Sequence, residues 1–202
     1  MYTTYTNRKT MVVVLDACEK YPVGYAIGDH ESPALIREAL RNAVQHTKEL
    51  FGNRYKPLQL QSDNYQKKVM VPFYEAMTKY YTPAALGNAK SKIVEPYFKH
   101  LNVEYCQKQA NWSGFGITAE KDNQPNLEVL NQNHKFIPDE ATVIAQLEAI
   151  IAQERAKKID AYRAAWERTE EARKMPFGIE EYLMLMGETT LSLIHISEPT
   201  RL

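Results

Sequence analysis

The sequence predicts an α/β protein built in layers, on three observations. Met11-Val12-Val13-Val14-Leu15 is a continuous apolar, β-branched run, the texture of a strand covered on both faces. Apolar residues then recur at helical spacing in three separate stretches. Short strand-like segments alternate with them, and the order reads strand, strand, helix, strand, helix, strand, helix.

Taken in order, residues 1–10 are polar and rich in Tyr and Thr, the tail of a hairpin by composition. The Met11–Leu15 strand is followed by a turn over Asp16–Tyr21 and a second strand over Pro22–Gly28 that pairs back on it. Ser32 is placed to cap a helix whose first position is Pro33, where no amide donor is needed. Leu35, Ile36, Ala39, Leu40, Ala43, Thr47 and Leu50 form its apolar stripe, and Gly52 suits the left-handed residue that ends it. A short strand over Leu58–Gln61 leads to Asp63, then a helix is expected over Asn64–Tyr80. Its inward residues are Val69, Phe73, Met77 and Tyr80, Lys67 and Lys68 face out, and Pro72 kinks or delays it. Tyr80–Pro83 reads as a short edge strand, and a loop leads into a helix carrying Glu95. Residues 111–138 are an irregular linker. A long helix is expected over Asp139–Arg173, with Val143, Leu147, Ile150, Ile151 and Tyr162 along one face, then a short helix over Phe177–Gly187. The long helix has nearly balanced charge, which suits packing better than reading DNA. The residues from 191 to 202 resemble a translated sequencing adapter and are set apart from the fold.

The chain has 202 residues, 44% hydrophobic and 25% charged, enough for one domain with a good core plus an appendage. No apolar run approaches the ~20 residues that span a bilayer, so no membrane partner is expected. Cys18 and Cys106 have no metal-type spacing and read as free thiols in a reducing cytosol. Formal net charge is zero, but from Arg54 to Lys108 nine basic residues face four acidic ones. A basic setting around carboxylates suits a polyanionic substrate.

Asp63 and Glu95, with 31 residues between them, are the candidate site. Phosphodiester chemistry at neutral pH needs an activated oxygen nucleophile and relief of charge at phosphorus, and two Mg²⁺ ions about 3.5–4 Å apart supply both. Mg²⁺ takes hard oxygen ligands and keeps several waters, so two or three carboxylates plus the substrate phosphate suffice. A carboxylate just past a strand end is held at the rim of a sheet, where such sites belong. At 100° per residue Glu95 falls opposite the apolar face of Ile93, Val94, Tyr97, Phe98 and Leu101, in line with Asn88, Lys92 and Lys99. As ordinary structure, Asp63 would cap a helix and Glu95 would form an exposed pair with Lys99.

The ordered set Val12-Val13-Val14-Leu15-Asp16, Val23-Gly24-Tyr25, Leu60-Gln61-Ser62-Asp63-Asn64 and Asn88-Ala89-Lys90-Ser91-Lys92-Ile93-Val94-Glu95 resembles the catalytic core of DDE transposases and retroviral-type integrases, particularly transposases of the phage Mu type. The match covers about residues 10–110. The resemblance implies an RNase H-like fold, a mixed sheet flanked by helices, over residues 1–110, with a helical extension over 139–190. It implies Mg²⁺- or Mn²⁺-dependent DNA cleavage and strand transfer, with Asp63 and Glu95 as the second and third catalytic acids holding two ions. Lys67, Lys68, Lys90, Lys92 and Lys99 would meet DNA phosphates. The implied partners are transposon ends and target DNA, bound by a homo-multimer in the bacterial cytoplasm at the nucleoid. In that family the first acid lies on the strand before the hairpin. Asp16 ends the second strand and reads as a turn residue, so the first strand and its acid are expected upstream of Met1, leaving this chain catalytically incomplete.

Two other readings stand beside this one. The first is an RNase H-like nuclease that cuts without joining, and the second is a non-catalytic nucleic-acid-binding module of the same fold. There is no GxGxxG or P-loop pattern, and His30, His46, His100 and His134 lack zinc spacing. Trp112 and Phe115 lie in a Gly-rich loop and read as cover for a core edge.

Overall fold

A computed structural model describes residues 2–4, 7–62, 66–83, 93–109, 111–112 and 137–187. The class is mixed α/β. After a small antiparallel pair, β1 (Tyr2–Thr4) and β2 (Asn7–Arg8), strand β3 (Thr10–Leu15) pairs antiparallel with β4 (Pro22–Gly28), Val13 opposite Tyr25. Asp16 makes the turn between β3 and β4: its Oδ2 accepts from the Glu19 amide at 2.7 Å, and its own amide donates to the Tyr21 carbonyl at 2.8 Å.

Helix α1 (Pro33–Phe51) lies across β4. Ser32 accepts from the Leu35 amide, and Gly52, at φ 79°, closes the helix through its amide to the Lys48 carbonyl. The contact with β4 depends on small residues. A Cβ on Gly24 would stand 2.4 Å from the Ala39 carbonyl oxygen and 2.5 Å from the Ala43 Cβ, so only glycine lets strand and helix come this close.

Strands β5 (Tyr55–Lys56) and β6 (Gln59–Ser62) follow, then α2 (Lys67–Met77) and β7 (Tyr80–Pro83). β6 and β7 run parallel, Leu60 beside Tyr81. The buried stripe of α2 is Met70, Phe73, Tyr74 and Met77, while Val69 is 51% and Tyr80 54% exposed, contrary to expectation. The stripe 70-73-74-77 places four large apolar side chains against α1, and Tyr80 has already left the helix for β7. Pro72 lies inside α2, where it has no amide to bond the Lys68 carbonyl.

Helix α3 (Val94–Glu104) carries Pro96 as its third residue, where an amide would have no helical partner anyway. Helix α4 (Glu140–Arg168) is capped by Asp139, which accepts from the Thr142 amide at 2.9 Å. Val143, Leu147, Ile150, Ile151 and Tyr162 are all buried, as their spacing predicts. The chain then forms β8 (Met175–Pro176), antiparallel to β5, and α5 (Ile179–Met186).

The β3–β4 pair is the middle layer. Val12 and Val14 face the core of α1 and α2, which also takes Phe177 and Met186 from the last segment. Met11, Val13, Leu15, Tyr25 and Ile27 face a second core of Tyr97, Leu101 and Tyr105 with the apolar stripe of α4. Both faces of β3 are covered, yet its six residues are only half-buried, because among the described residues only its β4 edge is paired. The far end of α4 is fixed by stacked rings to the turn before β4, Tyr162 on Tyr21 with centroids 4.3 Å apart, and to the end of α1, Trp166 on Phe51 at 4.4 Å.

Candidate functional site

Of the two predicted acids, Asp63 lies outside the described residues, and its stem is well held. β6 ends at Ser62, whose hydroxyl bonds the Tyr81 hydroxyl at 2.9 Å, and Gln59 donates to Thr82 at 3.1 Å. The parallel pair β6–β7 therefore delivers the chain to residue 63 from a pinned strand end. Tyr74 stacks on Tyr81 with centroids 5.2 Å apart, tying this rim to α2.

Glu95 is exposed in the first turn of α3, where the unbonded amides and the helix dipole favour a negative charge. Behind it Tyr97 and Leu101 are buried, while Val94 and Phe98 are each 37% exposed, so the apolar face of α3 is narrower than the sequence predicts. Lys99 and Lys68 are exposed, on α3 and α2. Lys90 and Lys92, and the side chain of Lys67, fall outside the described residues. Among the described residues no three His, Cys, Asp or Glu side chains gather in a metal-binding group. A carboxylate is the hard oxygen donor that Mg²⁺ takes, and Glu95 offers one at the surface.

The strongest polar cluster is one the carboxylate reading passed over. Glu154, on α4, is 1% exposed. Its Oε1 accepts from the Tyr105 hydroxyl at 2.5 Å and lies 3.2 Å from His100 Nε2. Lys158 Nζ stands 2.7 Å from Oε2, placed for charge attraction rather than a well-aligned hydrogen bond. Burial pushes the carboxyl up, but Lys158, Tyr105 and His100 outweigh it and hold it at about 2. Tyr97 is buried beside it with its phenol pushed up, by burial first and the Glu154 charge second. The helical stripe 143-147-150-151 continues to 154, a sequence signal for a buried acid.

A second arrangement joins Tyr21, His46 and Glu49. The Tyr21 hydroxyl bonds His46 Nε2 at 2.8 Å, and His46 Nδ1 lies 3.3 Å from Glu49 Oε2. Hydroxyl, imidazole and carboxylate in line resemble a nucleophile with its base. Tyr21, however, is 1% exposed beneath the Tyr162 ring, and burial raises its phenol, so no substrate reaches it. His46 is held below its ordinary value by burial and then by the Arg155 charge. The triad is a packing element. Cys18 and Cys106 are free thiols.

No protein-family model, curated protein or solved structure matches this chain. No helix among the described residues is long and apolar enough to cross a membrane.

Proposed function

We propose that this chain is core material of a DNA strand-transfer enzyme of the DDE transposase and integrase type, with an RNase H-like fold. One observation carries the reading. An antiparallel pair, a helix, and a parallel pair separated by a helix follow in the expected order, and the next helix presents Glu95 at the surface in its first turn. In this reading the two strand pairs belong to one mixed sheet, and their residues Val12, Val14 and Leu60 border one core.

Asp63 and Glu95 would hold Mg²⁺ or Mn²⁺, which supplies charge relief at phosphorus and an activated oxygen. The protein's own part is placement. Ser62 and Tyr81 fix the strand end before Asp63, and the buried Tyr97 and Leu101 fix the helix that carries Glu95. Exposed Lys68 and Lys99 are suited to hold DNA phosphates in register without reading bases.

The test is Mg²⁺- or Mn²⁺-dependent cleavage and joining of DNA by the full gene product, with Asp63→Asn and Glu95→Gln beside it. Loss of both activities in either variant supports the reading, by a factor of about 10² or more. Cleavage without joining points to a nuclease. Full activity in both variants shows that the site lies elsewhere. DNA binding with no chemistry under either metal, and no effect of either substitution, points to the binding-module reading.

A further inference from the structure

One turn of α4 holds two other parts of the molecule at once. On one side Arg155 donates to the carbonyls of Pro22 at 2.9 Å and Val23 at 2.8 Å, and Lys158 to that of Lys20 at 3.0 Å. These bonds seize the main chain at the start of β4. On the other side Glu154, adjacent to Arg155, takes the Tyr105 hydroxyl and faces His100 from α3.

The apolar contact between α3 and α4, through Tyr97 and Leu101, is non-directional and tolerates rotation of α3 about its own axis. A charged acceptor bonded by residues a turn apart does not. Lys157 adds to this by donating to the Tyr105 hydroxyl at 2.5 Å. Glu95 lies ten residues before Tyr105, the residue that caps the end of α3 through its amide to the Leu101 carbonyl, about 15 Å along the helix axis, so a small rotation at this contact becomes a displaced carboxylate at the surface.

We infer that Glu154 is the positioning residue of α3, setting its rotation and axial place against the β3–β4 pair and thereby the place of Glu95. The placement of α3 stands on geometry alone; the consequence for Glu95 as a metal ligand rests on the function proposed above. Glu154 touches no reacting atom and acts through α3.

Amide hydrogen exchange on the full chain tests the first part. In Glu154→Gln, exchange across Val94–Glu104 should rise about tenfold to a hundredfold, the loss of one or two charge-assisted bonds, while α1 stays protected. Tyr105→Phe leaves the carboxylate in place, gives a smaller rise confined to α3, and serves if Glu154→Gln does not fold. Unchanged exchange in α3 overturns the inference, and so does an even loss of protection that includes α1.

Mn²⁺ affinity, followed by water-proton relaxation, tests the second part. Glu154→Gln should weaken Mn²⁺ binding about tenfold, as loss of an orienting partner does, and should have no effect once Glu95→Gln is present. If exchange rises in α3 but Mn²⁺ binding is indifferent to Glu95→Gln, the latch stands and the proposed function fails. If binding depends on Glu95 but not on Glu154, the metal reading stands and the positioning of Glu95 fails.

Discussion

The two faces of the β3–β4 pair are held by different physics. Toward α1 the contact is chiefly steric: Gly24 meets Ala39 and Ala43 at main-chain distance, with Val12 and Val14 packed beside Leu35 and Ala39. Toward α4 an apolar stripe is joined by a buried carboxylate and an arginine, Glu154 and Arg155, which bond the Tyr105 hydroxyl at the end of α3 and the main chain of β4. The first face fails when a methyl group is added, the second when a charge is removed. Shape holds one contact and directed charge the other, so protonation of Glu154 in acid should weaken only the second.

The largest expected effect breaks the steric face. Gly24→Val drives a branched side chain into the Ala39 carbonyl, at or above roughly 3 kcal/mol, the top of the usual overpacking range. Urea unfolding should show a lower midpoint at all pH values.

Next comes the polar face. Glu154→Gln should cost α3 about 2–3 kcal/mol of local stability at neutral pH, since charge-assisted bonds to a buried group are lost. The effect is pH-dependent in a defined sense. The folded carboxyl is held at about 2 against an ordinary value of 4.5, so its stabilisation is complete above about pH 4.5 and lost as the pH falls through 2. Wild type and Glu154→Gln should converge in that window, whereas Gly24→Val should remain offset from wild type.

His46 adds an earlier slope. Its folded value is lowered from 6.5, so the folded state favours neutral imidazole, and stability declines as the pH falls below about 6.5. His46→Gln should remove that upper slope and leave the lower one. Ser32→Ala should cost about 1 kcal/mol with no pH dependence in this range, a control for α1 alone. Smallest of all, Lys68→Ala and Lys99→Ala should change stability by less than about 0.5 kcal/mol while lowering any DNA affinity in a salt-dependent way.

Much of the local structure was legible in the chain. Ser32, Pro33 and Gly52 mark the bounds of α1 because capping and left-handed geometry are demands of the backbone itself. The five buried apolar residues of α4 follow from 3.6-residue periodicity alone. The stripe of α2 expected from the sequence holds at Phe73 and Met77, but Met70 and Tyr74 are buried in place of Val69 and Tyr80, because Val69 and Met70 are equally apolar and only the neighbouring helices choose between them. For the candidate site, the sequence marks Asp63 and Glu95 as acids at a strand end and on a helix. The structure places Glu95 at the surface, and Asp63 lies outside the described residues.

What the sequence determined by itself is what short-range physics controls: caps, turns, helical faces, and the mixed α/β class they add up to. The tertiary structure alone decided which partners those faces meet. Glu154 reads as one more charge on a balanced helix until α3 brings Tyr105 and His100 to it, from about fifty residues away in the chain. A buried carboxylate is stable only with donors around it, and those donors come from elements whose meeting no local pattern records.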